Sequence, residues 1–172
     1  MHKPPHPIII VLALLSFNFH LRAAEAIPNE LIDFQGFMAI AQSTKDTRES
    51  HRLTEAQFQK MAAEPETIML DARSADKFAL RHIKGAISLP FTDFTAESLA
   101  KAIPKKTTRV LIYCNNNFLG SPAAFASKTA AASLNISTFI ALKTYGYENV
   151  HELGPLLDVR TSKLSFAGTE VK

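Results

Sequence analysis

Arg109-Val110-Leu111-Ile112-Tyr113-Cys114-Asn115-Asn116-Asn117-Phe118-Leu119-Gly120-Ser121-Pro122 carries the chain from an apolar run through a polar loop to a helix start. The run Arg109 to Tyr113 has the length and composition of a buried strand. Asn115 to Gly120 is polar and ends in glycine, and Ser121-Pro122 pairs an N-cap residue with proline at the first helical position. A cysteine between such a strand and such a helix sits in the positive field of the helix N-terminus, with backbone amides pointing inward. Both features stabilise a thiolate and favour a bound anion. Nucleophile and donors are then supplied without a metal. The same position also suits a cysteine acting only as a small hydrophobe at the end of a core strand.

Strand and helix patterns alternate on both sides of this stretch. Phe37, Ile40, Ala41 and Thr44 recur at helical spacing, which predicts an N-terminal helix over 36–52. Thr54-Glu55-Ala56-Gln57 matches a capping box, with Leu53 placed to staple onto Phe58, so a second helix should run to about Ala63. Thr67 to Leu70 reads as a strand ending at Asp71, Ser74 as the cap of a brief helix through Phe78, and Ala86 to Leu89 as a further strand. Thr95 caps a helix over 96–103. Beyond Pro122 the alanine-rich stretch Ala123 to Leu134 predicts a helix of two or three turns with a break, and another begins near Ser137. Asn149 to Leu153 is the final strand, and Pro155 to Val159 a last helical turn. Such alternation predicts an α/β fold, a parallel sheet covered by helices on both faces, with functional loops at the carboxyl ends of strands.

The chain has 172 residues, 47% of them hydrophobic, one cysteine and no tryptophan. An intrachain disulfide is therefore excluded. Lys3 precedes the apolar run Ile8 to Leu15, which is too short to span a bilayer comfortably, and Ala24 and Ala26 fit a small-x-small cleavage site. Residues 1–26 are accordingly expected to be a signal peptide, leaving an exported chain, periplasmic or secreted, without a stable membrane anchor. The formal charge of +3 falls to +2 once Lys3, Arg22 and Glu25 are removed. So small an excess argues against nucleic acid as a partner. In an oxidising compartment an unpaired cysteine is either buried and inert or reactive, so Cys114 concentrates the functional question.

Residues from about 53 to 157 resemble a single rhodanese domain. Leu70-Asp71-Ala72-Arg73-Ser74 is similar to the family's first-strand motif, Arg81-His82-Ile83-Lys84-Gly85-Ala86-Ile87-Ser88-Leu89-Pro90 to its H-I-x-G-A-x-x-x-P segment, and Tyr113-Cys114 falls where the catalytic strand ends. Tyr145 to Val150, followed by Leu153-Gly154, resembles the approach to the last strand. The resemblance implies a rhodanese-like domain over 53–159, with an N-terminal helical extension over 27–52 and a polar tail over 160–172. It further implies that Cys114 is catalytic and cycles through a persulfide, with a small sulfur donor and a thiol acceptor as partners and no cofactor. Asn115, Asn116, Asn117, Phe118, Leu119, Gly120 and Ser121 would form the substrate loop. Where such loops close on arginine, this chain has Leu119 and Gly120, so the bidentate clamp on an oxyanion is missing from the loop. That loss weighs against a cysteine-loop phosphatase or arsenate reductase, whose dianionic substrate needs a cation. A catalytically inactive rhodanese-fold module, binding a protein partner or ligand through the pocket or through Ala123 to Ile136, is the alternative to sulfur transfer.

Several other residues invite a role. The three asparagines can donate from their side chains or serve as turn residues. Asp71 and Arg73 lie on the same sheet edge as Cys114 and are expected to pair with each other or with loop backbone. Lys128 could reach back as a substitute cation, although such a lysine is more often simply solvated. His82 fits a structural turn, His51 and His151 are isolated, and no metal-ligand spacing is present. Asn135-Ile136-Ser137 matches a glycosylation sequon, but Asn135 is expected to cap a helix.

Overall fold

The computed structural model describes residues 27–171; the expected signal peptide lies outside them. In chain order the elements are α1 (Phe34–Ser43), α2 (Lys45–Ser50), β1 (Arg52–Leu53), α3 (Glu55–Ala62), β2 (Thr67–Asp71), α4 (Ala75–Leu80), β3 (His82–Ile83), β4 (Ile87–Ser88), α5 (Ala96–Ala102), β5 (Arg109–Tyr113), β6 (Phe118–Leu119), α6 (Leu134–Thr144), β7 (Val150–Leu153), β8 (Leu157–Asp158) and β9 (Phe166–Ala167). Residues 27–32 are exposed, with Leu31 N–H donating to Asn29 Oδ1 at 3.0 Å. Residues from Asp33 onward form a separate compact unit.

β5 is apolar almost throughout because both of its faces are covered. Leu111 and Tyr113 join Phe58, Phe118 and Phe125 in one core, while Val110 and Ile112 join Leu99, Phe139 and Leu142 in the other. The sheet is parallel, in the order β1-β7-β5-β2-β4. All its carboxyl ends therefore meet at one edge, where Asp71 lies opposite Tyr113 and Cys114 follows. Capping boxes open α3, through Thr54 and Gln57, and α5, through Thr95 and Ser98. Each satisfies two amides that the first turn of the helix leaves unpaired.

Four expectations are corrected. The N-terminal helix breaks at Thr44 into α1 and α2, and Phe37, one of the apolar residues at helical spacing, is half exposed. No α-helix starts at Ser121: a single turn, Phe125 N–H to the Ser121 carbonyl, and a 3-10 turn at Ala130–Ala132 precede α6, which starts at Leu134, with Ser133 rather than Asn135 at its N-cap. Within residues 155–159, Leu157–Asp158 form β8, paired in parallel with β6, instead of a helical turn. The segment expected as a polar tail folds back, with β9 antiparallel to β3, Leu164 buried and the Glu170 carbonyl accepting from Arg81 Nη2 at 2.5 Å.

Candidate active site

Cys114 directly follows β5 and is only 1% exposed. The helix N-terminus beside it belongs to α6, nineteen residues later in the chain, and not to a helix at Ser121. Ser133, at the N-cap of α6, makes no side-chain capping bond; its Oγ lies 3.5 Å from Cys114 Sγ. A cavity of about 230 Å³ reaches Cys114, Asn116, Asn117, Ser133, Asn135 and Glu152, and its wall also includes Arg48 and Arg52.

Two amide side chains hold this region in one orientation. Asn117 Oδ1 accepts from Cys114 N–H at 2.9 Å and from Asn135 Nδ2 at 3.0 Å, while its Nδ2 donates to the Leu153 and Pro155 carbonyls at 2.8 and 3.2 Å. Flipping either amide would set oxygen against oxygen, so the assignment follows from the network. Asn135 Oδ1 is consequently left buried without a partner.

The cations of the cavity come from the N-terminal extension. Arg48 Nη2 donates to both carboxylate oxygens of Glu152, at 2.7 and 3.0 Å, and Arg52 Nε lies 3.1 Å from Oε1. Burial, opposed by the two guanidiniums, raises the Glu152 carboxyl above its ordinary range. Arg48 Nε is shut off from water and has no acceptor. Sequence reasoning missed both arginines and Glu152; their only trace was the Arg48-x3-Arg52 spacing, which on a helical surface places side chains on one face.

The expected loop residues separate. Asn116 and Asn117 line the Cys114 cavity, and Asn115 does not. Asn115 to Asn117 form a 3-10 turn in which Asn117 N–H donates to the Cys114 carbonyl at 3.1 Å. Phe118 is buried among Tyr113, Phe125 and Phe166, and Leu119 is exposed on β6. Gly120 adopts φ +85°, and a Cβ there would come within 2.8 Å of Asp158 Oδ1. Ser121 Oγ donates to Glu170 Oε2 at 2.8 Å. None of Phe118, Leu119, Gly120 and Ser121 lines the cavity.

Asp71 and Arg73 form a buried pair: Arg73 Nε lies 2.9 Å from Asp71 Oδ1 and Nη2 lies 2.5 Å from Oδ2. Arg73 also donates to the Ala124 and Arg81 carbonyls, both at 2.8 Å. Tyr113 Oη donates to Asp71 Oδ2 at 2.6 Å and accepts from Ile83 N–H at 3.1 Å. Burial and the adjacent Asp71 carboxylate push the Tyr113 hydroxyl well above its usual value, so it stays protonated. His82 Nδ1 meets the Phe78 carbonyl at 2.7 Å and its ring stacks on Phe78, a turn contact remote from the thiol cavity. In a larger cleft, of about 540 Å³, Arg73, Phe91, Asn115, Ala124, Lys128 and Leu134 are among the lining residues, and Cys114 is not. Lys128 thus belongs to this second cleft. Among the described residues no group of three or more His, Cys, Asp or Glu side chains is placed to hold a metal.

Residues 54–154 match the model of the rhodanese-like domain. The chain belongs to the rhodanese-like family. Thiosulfate sulfurtransferase PspE of Escherichia coli (strain K12) is 27% identical over 95 residues, spanning 55% of this chain and 76% of that protein. Among solved structures, the BH2092 protein of Bacillus halodurans superposes with a TM-score of 0.54 at 17% identity, over 77% of this chain and 88% of its own. The rhodanese-like domain of the Alr3790 protein of Anabaena sp. superposes with a TM-score of 0.51, also at 17% identity, over 70% and 80%. These two likenesses establish the rhodanese-like fold. The arginines that line the thiol cavity precede the segment matched to the rhodanese-like model.

Proposed function

We propose that this rhodanese-like protein carries sulfane sulfur as a persulfide on Cys114 and works outside the cytoplasm. The observation that carries the reading is the place of Cys114, at the end of the central strand and beside the N-terminus of α6, in a cavity walled by two guanidiniums. The related PspE is a thiosulfate sulfurtransferase, which supports thiosulfate as one donor. In loading, the Cys114 thiolate attacks the outer sulfur of thiosulfate; an Sγ–S bond forms, the S–S bond of the donor breaks, and sulfite leaves with the electron pair. In unloading, an acceptor thiolate takes the outer sulfur and Cys114 regains its thiolate. Export rests on the order of basic, apolar and small residues in 1–26. Incubation with thiosulfate or polysulfide should add one sulfur atom by intact mass, absent in Cys114→Ala. A Cys114 that stays unmodified while folded and reacts only after denaturation would sink the persulfide reading.

A second reading, a binding module, is favoured by one observation: the larger cleft excludes Cys114 and takes much of its wall from Ala124 to Leu134. Under it, a partner captured by the folded protein is retained by Cys114→Ala and lost on substitution within Ala123 to Ile136. The 3-10 turn that closes Asn117 N–H onto the Cys114 carbonyl is not the open ring of amides a phosphoryl group requires.

A further inference from the structure

We infer that Arg48 and Arg52, from the N-terminal extension, are the anion-binding groups of the Cys114 cavity and hold the oxyanion end of an inorganic sulfur donor. The loop has leucine and glycine where a guanidinium would stand, and neither residue lines the cavity. Its wall nonetheless contains two guanidiniums against one carboxylate, Glu152; a second carboxylate, Glu49, pairs with Arg52 Nη1 at 3.2 Å but is 70% exposed and lies outside the lining. One donor already lacks an acceptor: Arg48 Nε is buried and unpaired, at the cost attached to any unsatisfied buried N–H. Nearby side-chain oxygens do not meet this need: Asn116 and Asn117 spend theirs on Lys128 N–H, and on Cys114 N–H and Asn135 Nδ2, and Asn135 Oδ1, itself unpaired in the same wall, makes no bond to it. An oxyanion is the ligand class that supplies acceptors and negative charge together, and guanidinium geometry suits it.

Glu152 explains how the two arginines are held when no anion is bound. It is 1% exposed, fixed on β7, and ties Arg48 and Arg52 to the sheet edge that ends in the thiol. Arg52 is further held by its Nη2 bond to the Gly154 carbonyl at 3.2 Å. Neither arginine depends on the loop for its position. The extension therefore completes a site that the family-matched segment leaves without a cation.

This assignment rests on the persulfide reading for its substrate but not for its charge, and the two can fail separately. Iodoacetate and iodoacetamide have nearly the same shape and differ in charge. Their rate ratio at Cys114 should exceed that of free cysteine, fall in Arg52→Ala and Arg48→Lys, and rise in Glu152→Gln. Arg48→Lys keeps the charge facing buried Glu152 while removing the Nε donor, and Arg52 is partly exposed, so neither change requires refolding of the core. For persulfide formation from thiosulfate, the same two substitutions should raise the KM about tenfold with a smaller change in the limiting rate, as expected for losing a charged hydrogen bond. If thiosulfate adds no sulfur while iodoacetate remains favoured, the proposed function falls and the anion site stands. A wild-type ratio equal to that of free cysteine, or a ratio and KM unmoved by both arginine changes, overturns the site.

Discussion

Asn117 shows how much one side chain can fix when all of its bonds are used. It joins the end of β5, the first turn of α6 and the turn after β7 through four hydrogen bonds while 95% buried. Asn117→Asp replaces the donor facing Leu153 and Pro155 with a second acceptor and places a negative charge in a dry site. A loss of about 3 kcal/mol is expected, seen as a lower urea midpoint with an unchanged slope. The three consecutive asparagines were legible as polar loop residues, but not their division of labour. Asn115 faces one cleft and braces the Ala126 carbonyl, Asn116 pairs with Lys128 backbone in both directions, and Asn117 is sunk beneath the thiol. Spacing alone does not distinguish these fates, because each depends on a chain segment that arrives later.

At the scale of elements, the C-terminal strand depends on a glycine. Gly168 adopts φ +124°, and a Cβ there would sit 2.4 Å from the Leu80 carbonyl oxygen. Gly168→Ala should release β9 from β3 at a cost of about 2 kcal/mol or more, read as rapid proteolytic trimming of the C-terminal residues before global unfolding. This strand was invisible in sequence, since two residues give no period. β2, β5, α3 and α5 were legible because unbroken apolar runs and capping residues are local signals. The stretch after Pro122 was misread for a definite reason. Its alanines favour helix, but the Ala123, Ala124, Ala126 and Lys128 carbonyls accept from Lys77, Arg73, Asn115 and Asn116 side chains. A single helical turn forms, Phe125 N–H to the Ser121 carbonyl, and tertiary bonds then override propensity.

For the molecule as a whole, acid should act partly through His151. Its ring stacks on His51 with centroids 4.3 Å apart. Burial foremost, then the charges of His51, Arg109 and Lys143, lower its pKa from 6.5 to about 4. Between those values the unfolded chain binds the extra proton, so stability due to His151 is present above pH 6.5 and is lost as pH falls toward 4. Allowing for solvent screening of a half-exposed ring, the effect is about 1 kcal/mol. Urea titrations from pH 7 to 4 should show that slope flattened in His151→Gln. Glu152 acts with the opposite sign: its raised carboxyl favours protonation in the fold, so its contribution grows as pH drops through the raised value. The burial of Cys114 has a kinetic consequence of its own. Although Cys114 contributes to the cavity wall, only 1% of it is exposed, so a neutral reagent reaches its sulfur in the fraction of molecules whose cover has momentarily lifted. Where closing outpaces reaction, the observed rate is the intrinsic rate scaled by that fraction, so the persulfide loading proposed above would run on the clock of the protein's own breathing.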